Sequence, residues 1–252
     1  MSGSHADASN MFSGKVAIVS GGASGIGLAT ANLLAELGAR VIATDIAGRP
    51  DGLGRTVDFM SHDVTDRDAW RAVGARTVAA LGHVDILVNC VGVLSEGNLK
   101  TTSLAEWRRV IAINVEGTFN GCQAIIPLMP PSGGSIVNMA SVSGSRGDAN
   151  LIAYTASKGA VVMLTREVAL DCARRGTNIR CNSVSPGVVD TAMIADFFAA
   201  RPSATLPEWL ASQPVARTIA PAEVAELIVF LSGPEASFVT GADFPIDCGA
   251  SA

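Results

Sequence analysis

The sequence has little positive charge and few aromatic side chains. Lysine and arginine together number 18 against 23 aspartates and glutamates, so the formal net charge at pH 7 is −5. Proteins that bind nucleic acid carry a basic patch that attracts the phosphates, whereas the arginines here are scattered along the chain. We therefore expect no nucleic-acid partner.

Motifs for metal binding and for nucleophilic catalysis are also missing. The chain has three histidines and five cysteines, without CxxC or the other spacings of metal sites, so no metal is predicted. A serine hydrolase needs a histidine base and a nucleophile elbow, and a nucleoside triphosphatase needs GxxxxGK[ST]. Neither pattern occurs, which argues against both classes of enzyme.

No long uninterrupted hydrophobic segment is present. The uncharged stretch 117–145 contains three prolines and several glycines that prevent a spanning helix. The opening residues lack the charged and then apolar pattern of a signal peptide, so we expect a soluble, cytoplasmic protein that does not bind membranes. Hydrophobic residues make up 48% of the chain, and we expect part of this apolar surface to lie between subunits of an oligomer.

Short apolar segments alternate with longer helical patterns along the whole chain. This alternation is typical of βαβ units. It predicts one Rossmann-like, doubly wound α/β domain over residues 13–252, with a mainly parallel seven-stranded sheet, helices on both faces and a flexible tail at residues 1–12. The predicted strands are 16–20, 40–45, 56–61, 84–89, 135–140, 178–184 and 244–247, and the clearest predicted helices are 25–37, 66–81, 104–126, 152–174 and 221–231. Between about 190 and 218 the periodicity weakens, so we expect an irregular segment that covers a site.

A glycine-rich turn follows the first predicted strand and begins the first helix. Glycines at positions 21, 25 and 27 allow backbone N–H groups to approach a pyrophosphate at a helix N-terminus. Asp45 ends the second strand 18 residues after Gly27, where a carboxylate accepts hydrogen bonds from the adenine-ribose hydroxyls and repels a 2′-phosphate. Because neither Ser24 nor Ile46 offers a positive charge, the sequence favours NAD over NADP as the cofactor.

Tyr154 is the only tyrosine of the chain and precedes Lys158, one of three lysines, by four residues. Residues at this spacing share a face of a helix, so the ammonium group can lie beside the phenol and favour its ionised form. We expect the Tyr154 pKa to fall from its usual value of about 10 toward neutrality, where a general acid or base is effective. The pair is therefore a candidate proton-transfer site.

Taken together, these residues resemble the short-chain dehydrogenase/reductase family from about residue 15 to residue 249. The turn is similar to the family's TGxxxGxG, with Ser20 in place of threonine. The fourth strand ends in NCVG, where the family has NNAG, so Asn89 and Gly92 match while Val91 is bulkier than the usual alanine. Cys248 replaces the first of the two glycines that follow the acid after the last strand.

The resemblance implies a catalytic set and a role for each member. Ser141 would donate a hydrogen bond to the substrate oxygen, and Tyr154 would pass the proton as general acid/base. Lys158 would also hold the nicotinamide ribose hydroxyls, and Asn114 would hold a water that connects this lysine to solvent. All four residues, Asn114, Ser141, Tyr154 and Lys158, occur in the family order.

The resemblance also implies how NAD is bound and how the chains assemble. Asp63 and Val64 would contact adenine, and Val189 and Thr191 would meet the nicotinamide amide. Family members are commonly homotetramers that pair the two long helices across one interface and the last strand across another. The complete cofactor-binding set implied is Gly21, Ser24, Ile26, Gly27, Asp45, Asp63, Val64, Asn89, Gly92, Tyr154, Lys158, Pro186, Gly187, Val189 and Thr191.

The leading hypothesis is an NAD-dependent oxidoreductase that interconverts a secondary alcohol and a ketone. Two alternatives remain open. A reductase of carrier-bound 3-oxoacyl chains usually takes NADPH, which Asp45 opposes, and a non-catalytic dinucleotide-sensing protein would be expected to lose part of the catalytic set. In the segment 190–218, the aromatic and apolar residues Phe197, Phe198, Trp209 and Leu210 predict a lid, and hence a hydrophobic substrate.

Overall fold

The fold is built on one sheet, seen in a computed structural model that describes residues 10–200, 205–211 and 213–252. Within these residues the strands are β1 (Val16–Ser20), β2 (Arg40–Asp45), β3 (Asp58–Ser61), β4 (Ile86–Asn89), β5 (Gly134–Met139), β6 (Ile179–Pro186) and β7 (Asp243–Ile246). Their order in the sheet is β3-β2-β1-β4-β5-β6-β7, and every neighbouring pair is parallel. The predicted Rossmann-like, seven-stranded α/β fold is confirmed.

Helices cover both faces of this sheet. They are α1 (Gly25–Glu36), α2 (Arg67–Leu81), α3 (Leu104–Ile111), α4 (Gly117–Ile125), α5 (Ile152–Arg174), α6 (Ala192–Ala199), α7 (Leu206–Ala211) and α8 (Pro221–Ser232). Side chains of α1 and α8 pack with one set of strand residues, and side chains of α2, α4 and α5 pack with the alternate set. Because both faces are covered, the central strands are apolar throughout rather than alternating, as β1 shows with five buried residues.

The predicted helix 104–126 contains a local change of pitch. A π-helical turn, Ala112–Glu116, separates α3 from α4. The Thr118 hydroxyl donates a hydrogen bond to the Asn114 carbonyl oxygen at 2.8 Å, and such side-chain bonding to the preceding turn competes with the helical ladder. The apolar periodicity of the sequence does not distinguish this turn from a continuous α-helix.

Two regions differ from the expected boundaries. Phe12, expected in the flexible tail, is buried in the core, and its N–H donates to the Leu37 carbonyl oxygen at 2.9 Å. The segment 190–218, expected to be irregular, contains α6 and α7, although the prolines at 202, 207 and 214 interrupt the helical periodicity of the sequence around them. Residues 1–9, 201–204 and 212 of these two regions lie outside the described residues.

Candidate active site

A cavity of about 600 Å³ lies at the carboxyl edge of the sheet. It opens where β1 and β4 lie side by side. At this point the strand order of the sheet changes direction, and ligands bind at such points in open α/β sheets. The wall of the cavity is formed by the turn after β1, the ends of β2 to β6, helix α5 and the start of α6.

No helix in the described part of the chain is long and apolar enough to cross a membrane.

The structure brings nearly all predicted site residues together in this one cleft. Residues that are up to 170 positions apart in the sequence share its wall, from the glycine turn to the segment after β6. Asn89 and Asn114 are the two predicted residues that do not line it. Those that do are Gly21, Ser24, Ile26, Gly27, Asp45, Asp63, Val64, Gly92, Ser141, Tyr154, Lys158, Pro186, Gly187, Val189 and Thr191.

The glycine turn is shaped by close backbone contacts. Gly21 has a φ of 75°, and a Cβ placed on it would lie 2.9 Å from the backbone nitrogen of Val91. A Cβ on Gly27 would overlap the Gly21 carbonyl oxygen. Glycine at both positions therefore lets the start of α1 pack directly on the turn, which leaves the backbone and the helix N-terminus accessible to a pyrophosphate.

Asp45 lies at the end of β2 on the wall of the cleft. Its two carboxylate oxygens accept hydrogen bonds from the backbone N–H groups of Ala23, at 3.2 Å, and Ala47, at 3.0 Å. The nearby Arg49 is turned toward its own loop, where its guanidinium donates to the carbonyl oxygens of Val57 and Gly54 at 2.7 and 2.8 Å. The carboxylate is thus fixed in the cleft while the nearby cation is already occupied.

Ser141, Tyr154 and Lys158 meet at the inner end of the cleft. The Ser141 hydroxyl lies close enough to the Tyr154 phenol to influence its pKa, and the Lys158 nitrogen lies 5.7 Å from the centre of the Tyr154 ring. Ser141 follows β5, while Tyr154 and Lys158 lie one turn apart on α5. The predicted proton-transfer pair therefore shares the cavity that holds the glycine turn.

The expected direction of the Tyr154 pKa shift is wrong. Burial is the larger influence and raises the Tyr154 pKa above its usual value, while the hydrogen bond from Ser141 lowers it by less. Lys158 as a whole is only 3% exposed, and its Nζ donates to the Met139 carbonyl oxygen at 2.8 Å. Burial lowers the Lys158 pKa to about 8, since the charged amine is poorly solvated there.

Asn114 does not line the cleft itself, but its side chain joins two elements that do, the loop after β4 and helix α5. Its Oδ1 accepts from the backbone N–H of Val93 at 2.8 Å, and its Nδ2 donates to the Val93 carbonyl oxygen at 3.0 Å and to Ser157 Oγ at 2.9 Å. The side chain is 1% exposed. Asn114 thereby fastens the loop after β4 to helix α5, next to Lys158, and its role in a water relay stays a prediction.

Asn89 points away from the cleft, contrary to the cofactor role expected for it. Its Nδ2 donates to Asn138 Oδ1 at 2.9 Å, and its Oδ1 faces Gly121 of α4. Successive side chains of a strand point to opposite faces, and the end of β4 directs this amide into the helix layer. Asn89 therefore belongs to a buried polar network between β4, β5 and α4.

Several residues of the cleft have no counterpart in the prediction. His62 precedes Asp63, and Arg109 lies on α3; both line the cavity. Burial lowers the His62 pKa to about 4, and Glu106 accepts two hydrogen bonds from the Arg109 guanidinium at 2.7 and 2.8 Å. The adjacency of His62 to Asp63 is a sequence signal that could have revealed it. Arg109 has no such signal in the sequence, because only the position of α3 in the fold brings it to the cleft.

The positions that depart from the family pattern fit the fold in different ways. Cys90 lines the cleft, and burial raises its pKa to about 12, so the thiol stays protonated. Cys248 has a φ of 53°, which is the left-handed region that favours glycine, in agreement with the glycine usual at this place.

Among the described residues, no group of three or more histidine, cysteine or acidic side chains could hold a metal ion.

A second cavity, of about 390 Å³, adjoins the cleft. It shares Val93, Arg109 and Met193 with the main cavity, and Phe197 of α6 lines its far side. The Phe197 and Phe198 ring centres are 5.3 Å apart, and Phe198 lies 6.4 Å from Trp209. Phe197, Phe198 and Trp209 thus form one aromatic cluster, of which Phe197 borders the second cavity, and their role as a lid stays a prediction.

A parallel sheet with a glycine-rich β1–α1 turn and a Ser–Tyr–Lys cluster in one cleft defines a short-chain dehydrogenase. The family model described as "Enoyl-(Acyl carrier protein) reductase" matches residues 21–251. The chain belongs to the short-chain dehydrogenase/reductase family, whose members use nicotinamide dinucleotide cofactors, and it is accordingly an oxidoreductase.

Individual relatives align along almost the whole chain. Trans-4-hydroxycyclohexanecarboxylate dehydrogenase of Sinomonas cyclohexanicum is 38% identical over 94% of this chain and 93% of its own. The 3-beta-hydroxysteroid dehydrogenase of Comamonas testosteroni is 38% identical, with 94% and 96% covered. The NADP-dependent (R)-specific alcohol dehydrogenase of Lentilactobacillus kefiri is 36% identical, with 95% and 97% covered. Ligand-free aldohexose dehydrogenase of Thermoplasma acidophilum superposes with a TM-score of 0.88 at 35% identity, covering 96% of both chains.

Proposed function

We propose that this protein is an NAD-dependent oxidoreductase that interconverts a secondary alcohol and a ketone. The observation that carries the proposal is that Ser141, Tyr154 and Lys158 share one cleft with the glycine turn and Asp45. When bound, NAD supplies the hydride chemistry, and the protein supplies orientation and the path of the proton. The turn formed by Gly21 and Gly27 fits a pyrophosphate, because its backbone is left uncovered by side chains.

The proton is carried by the side chains at the inner end of the cleft. Tyr154 accepts the hydroxyl proton of the alcohol during oxidation and returns it to the oxygen during reduction. The Ser141 hydroxyl, which lines the same cleft as Tyr154, donates a hydrogen bond to the same substrate oxygen and stabilises the developing alkoxide. Burial raises the Tyr154 pKa, so we propose that the Lys158 ammonium, 5.7 Å from the centre of the ring, supports the ionised phenol, and that a bound oxidised nicotinamide would add a second positive charge.

The preference for NAD rests on the adenosine end of the cleft. Asp45 places a carboxylate there, and a 2′-phosphate beside it would be repelled. Arg49, the nearest cation in the sequence, already donates to backbone carbonyl oxygens of its own loop. One relative is named as NADP-dependent, so overall similarity does not predict the cofactor. The proposal therefore rests on the particular residues at the adenosine end of the cleft.

We propose a cyclic secondary alcohol as the substrate. The part of the cleft near α6 is lined by Val93, Met193 and Ile194, and Phe197 extends this apolar wall into the adjoining cavity. The named substrates of two relatives, a hydroxycyclohexanecarboxylate and a hydroxysteroid, are rings that carry a secondary hydroxyl. A first panel would therefore contain cis- and trans-4-hydroxycyclohexanecarboxylate, their methyl esters and a 3-hydroxysteroid, with NADH formation as the measurement.

A reductase of carrier-bound 3-oxoacyl chains is the second candidate. It is favoured by the 38% identity to the 3-oxoacyl-[acyl-carrier-protein] reductase of Thermotoga maritima. Reduction of an acetoacetyl thioester that is faster with NADPH than any oxidation in the alcohol panel would support it. A non-catalytic sensor is disfavoured, because Ser141, Tyr154 and Lys158 are all present and adjacent.

The direct test is Tyr154→Phe, which removes one oxygen atom. We expect turnover to fall by roughly two to four orders of magnitude, the usual contribution of a positioned general acid or base, while NADH binding measured by fluorescence changes little. Ser237→Ala removes an exposed hydroxyl that does not line the cleft and serves as a control. Near-normal turnover of the Tyr154→Phe variant would refute the assignment.

We also propose a homotetramer. Phe119 on α4 and Met163 and Leu170 on α5 are between 43% and 51% exposed, although each is large and apolar. These helices are the ones expected from the family likeness to pair between subunits, and an interface would remove their apolar surface from water.

A further inference from the structure

The loop that carries Ser141 touches helix α5 at a contact between two glycines. A Cβ placed on Gly144 would lie 2.9 Å from both the carbonyl carbon and the carbonyl oxygen of Lys158, and 3.1 Å from the Gly159 nitrogen. A Cβ on Gly159 would lie 3.2 Å from the Gly144 carbonyl oxygen. The two backbones therefore approach more closely than any side chain at position 144 would permit.

This contact is connected to Ser141 by a rigid turn. Residues Val142–Gly144 form one 3₁₀ turn in which the Gly144 N–H donates to the Ser141 carbonyl oxygen at 2.8 Å. The Ser143 N–H donates to Ser141 Oγ at 3.2 Å, so both the backbone and the hydroxyl of Ser141 are held by the same turn. A displacement of Gly144 is consequently transmitted to the Ser141 side chain.

The other side of the contact belongs to the helix that carries Tyr154. Helix α5 runs over 23 residues and is fastened to the rest of the fold by Asn114–Ser157 and Asn138–Thr165 hydrogen bonds. The loop is exposed beyond Ser145, so we expect it to be the side that moves. Movement of either side changes the gap between the Ser141 and Tyr154 hydroxyls.

We propose that Gly144 is a positioning residue, whose contact with the Lys158–Gly159 backbone sets the separation of Ser141 and Tyr154 in the reactive geometry. The inference rests on the proposed function, since it assigns these two hydroxyls to the same proton transfer. Glycine is required at 144 because the contact is with backbone atoms of a helix, which cannot rotate away as a flexible side chain would.

The test compares Gly144→Ala with Gly147→Ala in the same loop. A Cβ on Gly147 meets no atom within 4 Å, and neither glycine has a positive φ, so the two substitutions differ in the contact alone. Three quantities are measured: the turnover of the best alcohol of the panel, the Kd for NADH, and the pKa of Tyr154. The last is read from the tyrosinate absorbance, which in this chain comes from Tyr154 only.

For Gly144→Ala we expect kcat to fall roughly 10- to 100-fold, as a displacement below 1 Å can produce, with the Kd for NADH within about twofold of wild type. The Tyr154 pKa should rise, as in a Ser141→Ala reference, because the hydrogen bond that lowers it is weakened. Gly147→Ala should match wild type. Gly159→Ala, whose Cβ is less crowded, should show the same changes to a smaller extent, and it replaces Gly144→Ala if that variant does not fold.

The results separate a failure of the positioning role of Gly144 from a failure of the proposed function. If Gly144→Ala keeps wild-type kcat and Tyr154 pKa while Tyr154→Phe is inactive, the positioning role is overturned and the proposed function stands. Parallel losses of kcat and NADH binding would show a general disturbance and also overturn it. If Tyr154→Phe itself is active, the proposed function fails first.

Discussion

At the scale of single residues, Lys158 is a charge that the fold holds at a cost to stability. Its Nζ is buried and bonded to the Met139 carbonyl oxygen, and its pKa is lowered from 10.5 to about 8. Such a shift corresponds to about 3 kcal/mol that favours the unfolded, solvated ammonium at neutral pH. The catalytic set therefore contains a residue that a selection for stability alone would remove.

Lys158→Met should consequently raise the free energy of unfolding at pH 7 while it abolishes turnover. We expect a gain of about 2 kcal/mol, since loss of the hydrogen bond to Met139 offsets about 1 kcal/mol of the ionisation term. Denaturant unfolding measures the gain. An equal or lower stability of the variant at pH 7 would contradict the burial argument.

The pH dependence of this gain has a definite sign. The pKa of Lys158 is lower in the folded than in the unfolded chain, so the unfolded chain binds more protons between about pH 8 and pH 10.5. Wild-type stability relative to Lys158→Met should thus rise across this window, and the difference between the two proteins should shrink. A difference that stays constant from pH 7 to pH 10.5 would point to packing instead of ionisation.

The proposed preference for NAD depends on Asp45. Replacing Asp45 by alanine would remove the carboxylate that we propose binds the adenine ribose, and with it the repulsion of a 2′-phosphate. We expect the KM for NAD to rise about tenfold, as for loss of a charge-assisted hydrogen-bond pair, and the KM for NADP to fall. Steady-state kinetics with both cofactors measure the ratio of the KM for NADP to the KM for NAD. Asp58→Ala, at an exposed position of β3, is the control. An unchanged ratio in Asp45→Ala would count against the role of Asp45.

At the scale of elements, the packing of α4 against the sheet depends on the absence of a side chain at Gly121. A Cβ there would lie 2.5 Å from Asn89 Oδ1 and 2.9 Å from the Trp70 ring, and both neighbours are buried. Asn89 is held in turn by Asn138 of β5, so it has little freedom to move. The Asn89 that the sequence assigns to the cofactor is thus a contact between β4 and α4.

Gly121→Ala should destabilise the protein by about 1–3 kcal/mol, the usual cost of overpacking a core, after allowing for the better helix propensity of alanine. Thermal or denaturant unfolding provides the measurement. Gly48→Ala, on an exposed loop with no atom within 4 Å of the added carbon, is the matched control and should be nearly neutral. Equal stability of both variants would show that α4 can shift to accommodate the methyl group.

Element types were well predicted, and local geometry less so. β1, β2 and α5 have the predicted bounds, because apolar periodicity and flanking glycines are local signals. The π-helical turn Ala112–Glu116 and helices α6 and α7 were missed. The π-helical turn lies within a continuous apolar periodicity, and prolines at 202, 207 and 214 interrupt the periodicity around α6 and α7.

At the scale of the whole molecule, the proposed tetramer accounts for apolar side chains left on α4 and α5. Met163→Glu combined with Leu170→Glu should convert tetramers to smaller species, because two charges would be buried without partners at the interface. Light scattering after size-exclusion chromatography gives the mass. Leu99→Glu, at an 85% exposed loop position, is the control and should remain tetrameric; a monomeric wild type would end the proposal.

The sequence by itself determined the alternation of strands and helices along the chain, and it predicted the residues of the candidate site. Spacing over a few residues places Tyr154 and Lys158 on one helix face and glycines in the β1–α1 turn, and these are local properties. Only the tertiary structure decided that Asn89 faces α4, that Arg109 joins the cleft, and that burial raises the Tyr154 pKa. Side-chain direction and desolvation depend on neighbours far apart in the chain, and so they exist only once the sheet and its helices have assembled.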